Sequence, residues 1–176
     1  LAALSNTPYF SYKAHTFEGG IASPLIVSWP DQLSEYAGTL RDGRCHIIDI
    51  LPTCLDAAGI EFPSTFNGKD TVPPDGSSLM QAIKGAAFPE RPLFWEHGGR
   101  KAIYKDGWKL VAPKGNSKWR LYNLTLDPTE QNDMSTQFPE RLRALQQEWT
   151  RWAKQNHVLR VRGSNGEVTK KTVKRQ

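Results

Sequence analysis

Apolar and polar positions follow three successive rhythms along this chain of 176 residues. From Gly19 to Pro30 the apolar run Ile21, Pro24-Leu25-Ile26-Val27 and Trp29 is nearly continuous, which predicts a strand covered on both faces, in a sheet whose other strands lie upstream. Asp49 is placed to cap a helix running through Pro52, Leu55 and Ala58 to Gly59, with Pro52 tolerated because it falls in the first turn. Residues 61–76 are turn-rich and read as a connector, followed by a short amphipathic segment from Ser77 to Lys84. After Pro89 the rhythm shortens to predicted strands at Leu93 to Glu96, Lys101 to Lys105, Trp108 to Ala112 and Trp119 to Leu124, with Asp106-Gly107 a strong hairpin turn. Last comes Pro139, followed by a helix in which Phe138, Leu142, Leu145, Trp149 and Trp152 recur at alternating four- and three-residue steps.

The predicted architecture is an incomplete α/β segment over 1–88, then a small α+β subdomain over 89–158 in which about four antiparallel strands are backed by the last helix. Trp95, Trp108 and Trp119 on successive strands, with Trp149 and Trp152 on the helix, read as packing between the two. Residues 159–176 are expected to be a solvated, disordered tail. Charge supports this division. Residues 161–176 carry Arg162, Lys170, Lys171, Lys174 and Arg175 against Glu167, which is +4 of the net +5, so the body is close to neutral and nucleic acid is not an expected partner. No apolar run approaches the roughly 18 residues of a bilayer span, so no membrane partner is expected. The chain begins at Leu1 and runs directly into dense motif-like sequence, as a cut into a longer protein would. Cys45 and Cys54 lack the spacing of a zinc site and read as buried, unpaired thiols.

The densest polar cluster is Tyr12-Lys13-Ala14-His15-Thr16-Phe17-Glu18-Gly19-Gly20. Two glycines permit a sharp turn and close backbone approach, and Glu18 is placed to accept hydrogen bonds from amides around it. Lys13, a compact ammonium with three donors, suits a tetrahedral oxyanion such as sulfate or phosphate. The spacing of Lys13 to Glu18-Gly19-Gly20 and then Pro24 resembles the K-x-x-x-x-E-G-G segment of the arylsulfatase-type, formylglycine-dependent sulfatases of the alkaline-phosphatase-like superfamily. Five further segments are similar in the same order: Asp49-Ile50-Leu51-Pro52-Thr53 with Ala58-Gly59, Asp75-Gly76-Ser77-Ser78-Leu79, Phe94-Trp95-Glu96-His97, Gly107-Trp108-Lys109-Leu110, and Leu121-Tyr122-Asn123-Leu124 through Asp127-Pro128-Thr129-Glu130. The similarity covers roughly residues 8 to 155.

The resemblance implies that Lys13 contacts the sulfate group, and it makes Lys13 the single candidate catalytic residue. It also implies a formylglycine nucleophile made from a C/S-x-P/A-x-R signature and a divalent cation, calcium or magnesium, held by Asp and Asn side chains. Neither cysteine fits that signature, and no metal ligand is assigned within this chain, so both cofactors are expected upstream and the chain alone is expected to be inactive. His15, two residues beyond Lys13, and His97, before Gly98-Gly99-Arg100, are further candidates for substrate binding, with a structural hydrogen bond and an ordinary hairpin as the competing readings. The implied partners are the upstream part of the same polypeptide and a sulfated small molecule or glycan; the family's compartments, periplasmic, lysosomal or extracellular, are not separated by the sequence. A phosphodiesterase or phosphonate hydrolase of the same superfamily and a non-catalytic glycan-binding module are the alternatives.

Overall fold

The computed structural model describes residues 4–114 and 117–158. The expectation of a disordered basic tail falls outside those residues. In chain order the helices and strands are α1 (Glu18–Ile21), α2 (Pro30–Leu33), α3 (Ile50–Ala58), β1 (Thr65–Phe66), β2 (Lys69–Asp70), α4 (Met80–Ile83), β3 (Leu93–His97), β4 (Arg100–Lys105), β5 (Trp108–Ala112), β6 (Arg120–Asn123) and α5 (Pro139–Gln155). The chain divides into two compact units. One is Leu25–Arg91, and the other joins the residues up to Pro24 with those from Pro92 onward. The first 24 residues therefore group with the sheet that follows Pro92, a different partition from the 1–88 and 89–158 read from sequence texture.

In the sheet unit, β3, β4, β5 and β6 form an antiparallel meander in sequential order. Asp106 and Gly107, at φ 50° and 78°, close the β4–β5 hairpin in the left-handed conformation that such two-residue turns require. Because successive strand residues point to opposite faces, the register sorts the side chains into two sets. Ile103, Leu110 and Leu121 lie on one face and are buried under Leu145 and Trp149 of α5. Pro139 occupies the first turn of α5, and Phe94 stacks on Trp152 with ring centroids 4.9 Å apart. Ala102, Val111 and Tyr122 lie on the opposite face and pack against Phe17. Trp108, Trp119, Trp149 and Trp152 all belong to the helix-side core, while Trp95 packs on the other side.

The Leu25–Arg91 unit is built differently. Helix α3 runs from Ile50 to Ala58 with Gly59 at its C-terminal cap, but none of its residues is buried. Asp49 precedes it, yet its side chain makes no capping bond to that helix. Instead the buried carboxylate accepts the amides of His46 at 2.7 Å and Ser77 at 2.9 Å and pairs with Arg91. Thr53 extends the connection, donating to the Asp49 carbonyl at 2.6 Å and accepting the Leu79 amide at 3.0 Å. The segment expected to be amphipathic from Ser77 to Lys84 shortens to the single turn of α4, from which Met80 and Ala82 are buried.

The strand expected within Gly19–Pro30 does not form. Glu18–Ile21 is one helical turn, and Leu25, Ile26 and Val27 are 47%, 88% and 46% exposed. A strand buried on both faces needs a hydrogen-bonding neighbour on at least one edge, and the described residues supply none to this run.

Candidate functional site

The Lys13 segment is fastened to the helix-free face of the sheet. Phe17 is buried against Ala102, Val111 and Tyr122, and its ring meets Phe10 edge-on at 4.8 Å. Beside it the Thr16 hydroxyl donates to the Lys101 carbonyl at 3.3 Å. The two glycines are required by close approach: a Cβ on Gly19 would lie 2.5 Å from the carbonyl oxygens of Phe10 and Ser11, and one on Gly20 would lie 2.1 Å from that of His15. Residues 10–15 are thus folded back onto the Glu18-Gly19-Gly20 turn. The His15 amide donates to the Tyr12 carbonyl at 3.2 Å, and Ala14 has φ 72°, so Lys13 sits exposed in the middle of a tight turn. The segment is not extended, and the two-residue strand period that would have aimed Lys13 and His15 the same way does not apply.

Beneath the turn lies a buried ionic triad. The Lys109 ammonium, fully buried on β5, reaches Glu18 Oε1 at 2.7 Å and Glu130 Oε1 at 3.0 Å. The Glu18 amide in turn donates to Glu130 Oε2 at 2.6 Å. Glu130 can point inward because the Asp127 carboxylate accepts the Gln131 and Asn132 amides, both at 2.8 Å, curling the loop until Glu130 takes φ 57°. Burial pushes the Glu130 carboxyl up from its ordinary range, opposed by Lys109. The upward direction prevails because one ammonium is shared by two carboxylates in a site closed to water. Removing one member of such a cluster strands charge where water cannot reach it, so the arrangement locks the Lys13 segment to β5 and to the 127–132 loop. The Glu18 carboxylate, expected to serve the local turn, is committed to Lys109, 91 positions away.

His15 is half-buried, with its ring centroid 5.0 Å from that of Tyr12, and burial followed by the Arg100 charge lowers its pKa. His97 is exposed at the end of β3, directly opposite Arg100 in the register. The Gly98-Gly99 connection closes as a two-residue hairpin, held by the Glu96 carboxylate accepting the Gly99 amide at 2.8 Å. Arg100, Lys109 and Glu130 were not singled out from the sequence. Lys109 and Glu130 lay inside recognised motif segments, but nothing local distinguishes a buried lysine from a solvent-facing one.

Among the described residues no three His, Cys, Asp or Glu side chains converge. Burial raises the pKa of Cys45, a direction opposite to that of an activated thiolate, and the expectation of two buried thiols fails, since Cys45 is only half-buried and Cys54 is exposed. A groove of about 630 Å³ is lined by Trp108, Phe138 and Arg141, among others, on the helix side of the sheet and so away from the Lys13 segment.

Comparison with known proteins agrees with the resemblance to sulfatases. The chain is 30% identical over 155 residues to an uncharacterized sulfatase of Schizosaccharomyces pombe, covering 84% of this chain and 28% of that protein. It is 36% identical over 124 residues to N-acetylgalactosamine-6-sulfatase of Canis lupus familiaris, covering 70% and 22%, and 30% identical over 147 residues to arylsulfatase K of Mus musculus, covering 77% and 26%. The chain therefore spans about a quarter of the length of these relatives. A solved sulfatase from a Bacteroides thetaiotaomicron glycosaminoglycan locus superposes with a TM-score of 0.49 at 21% identity, over 60% of this chain and 24% of that one. Residues 8–155 match the family described as N-sulphoglucosamine sulphohydrolase, C-terminal, and the chain belongs to that sulfatase family.

Proposed function

We propose that this chain is the carboxy-terminal part of a sulfatase that hydrolyses aryl or carbohydrate sulfate esters, in which Lys13 contacts the sulfate group being cleaved. The observation that carries the reading is the mounting of Lys13. Its ammonium is exposed, while the segment bearing it is fixed on three sides by Phe17, the Gly19-Gly20 close approach and the Glu18–Lys109–Glu130 triad. An oxyanion donor is most effective when it does not have to reorganise as charge develops, and this mounting supplies that rigidity. The names of the relatives, N-acetylgalactosamine-6-sulfatase and arylsulfatase K, support sulfate-ester chemistry.

The nucleophile and the divalent cation belong, in this reading, to the rest of the polypeptide, since neither cysteine nor any convergent set of carboxylates in the described residues fits them. The Leu25–Arg91 unit would belong to the larger α/β domain, and its uncovered run Leu25–Ile26–Val27 is the surface that the upstream sequence would cover. This chain's own part in the reaction is to bind and orient. Lys13 holds a sulfuryl oxygen and stabilises the negative charge that grows as the ester bond breaks.

In the full polypeptide, Lys13→Ala is expected to lower turnover of an aryl sulfate by about 100-fold or more, as loss of an oxyanion donor does elsewhere, with the melting temperature unchanged. An unaltered rate would remove Lys13 from the site. The isolated chain is expected to release no phenol from an aryl sulfate, and metal-dependent release by pure chain would overturn the proposal.

A further inference from the structure

The face of the sheet that carries the Lys13 segment ends, at the β3–β4 hairpin, in His97 and Arg100, for which no ion pair with an acidic group is found among the described residues. Arg100 shares a face with Ala102, two residues along β4, and His97 lies opposite Arg100 in the register. Ala102 packs against Phe17, so this is the side on which residues 10–20 lie. The Arg100 guanidinium folds back over the hairpin, where a Cβ on Gly98 would come within 3.4 Å of Nη1. Its Nε is buried and has no hydrogen-bond partner among the described residues, and Arg100 has no ion pair there either. Glu96, the nearest carboxylate in sequence, is on the opposite face and is engaged by the Gly99 amide. An arginine with an unused, buried donor, opposite His97 in the register and on the sheet face that carries the Lys13 segment, suits an oxyanion.

We propose that Arg100, with His97 and His15 beside it, forms a subsite that binds a second oxyanion group of the substrate, a sulfate or a carboxylate other than the sulfate held by Lys13. The proposal rests on the sulfatase reading and deepens it, making the preferred substrate one with at least two anionic groups. The lowered pKa of His15, caused by burial and then by the Arg100 charge, agrees with a guanidinium close enough for its charge to act on the imidazole. An anion bound between them would reverse the second cause and raise that pKa.

The test is an NMR titration of the full polypeptide, labelled on arginine side chains and histidine rings, with inorganic sulfate and separately with acetate, chloride being varied to hold ionic strength constant. The Arg100 Nε–H signal, assigned by its loss in Arg100→Lys, is expected to shift saturably with one of the two anions, and the His15 pKa to rise. The responding anion identifies the group bound. In Arg100→Gln the binding reported by His15 should weaken about tenfold, and Arg100→Lys should recover part of it. The shift should persist in Lys13→Ala. An Arg100 signal unmoved by either anion would mean that its Nε is satisfied by water and would overturn the subsite, whatever Lys13 does. A shift abolished by Lys13→Ala would mean a single site and would overturn it equally. Failure of the sulfatase reading itself is read separately, as unchanged turnover in Lys13→Ala.

Discussion

The two units of this chain solve the problem of staying folded in opposite ways. The sheet unit has a closed apolar centre, with Ala102, Ile103, Leu110, Val111 and Leu121 all essentially inaccessible to water, and adds one buried ionic cluster. The Leu25–Arg91 unit buries little beyond Leu33, Leu79, Met80 and Ala82, leaves Ile26 88% and Leu40 98% exposed, and is tied together through the Asp49 carboxylate. Apolar burial contributes about 25 cal/mol per Å² and is roughly additive, whereas a polar hub contributes only through the few bonds it makes. One unit thus carries its own driving force, and the other leaves much of its apolar surface exposed. The candidate site lies on the unit with the core, which is where a rigidly mounted lysine is best supported.

The comparison can be broken most severely at Lys109. Lys109→Ala leaves Glu18 and Glu130 facing each other in a closed site and should cost about 3–5 kcal/mol by urea unfolding, with faster amide exchange in the Lys13 turn. A loss below about 1 kcal/mol would show that the triad does not fasten that segment. Next, Ile103→Ala should cost about 2–5 kcal/mol, whereas Leu51→Ala on exposed α3 should stay within about 0.5 kcal/mol in this chain. If the upstream polypeptide covers α3, the same Leu51 change should become costly in the full protein. Asp49→Ala should cost about 1–3 kcal/mol, discounted because Arg91 remains partly exposed, and it should speed exchange at the His46 and Ser77 amides while leaving β4 protected.

The smallest effect concerns pH. Burial raises the Glu130 carboxyl above its ordinary value of 4.5, so the folded state holds that proton more tightly than the unfolded chain does. The corresponding stability is complete below 4.5 and is lost as pH rises through the folded value. Melting curves of wild type and Glu130→Gln should therefore show wild type losing ground to the variant as pH rises from 4.5. Parallel curves would mean that Lys109 fully compensates for burial.

What the sequence determined by itself is whatever rests on neighbours within a few positions. The four strands, the Asp106-Gly107 turn and the helix begun by Pro139 follow from side-chain period and turn chemistry, and they appear within a residue or so of expectation. The glycine pair also announced a close approach, though not which carbonyls it would meet. The tertiary structure alone decided the partners of charged groups. Nothing beside Lys109 in the sequence marks it as buried, and only the return of Glu18 and Glu130 from distant segments makes it a buried cation. Asp49 stands where a helix cap is expected, yet the arrival of Ser77 and Arg91 turns it into a hub. Arg100 gained its place on the Lys13 face through strand register. The run at Leu25–Val27 shows the reverse case, in which the sequence asks for burial that these residues do not provide. Periodicity is a local property, whereas the pairing of buried charge is settled by which segments meet.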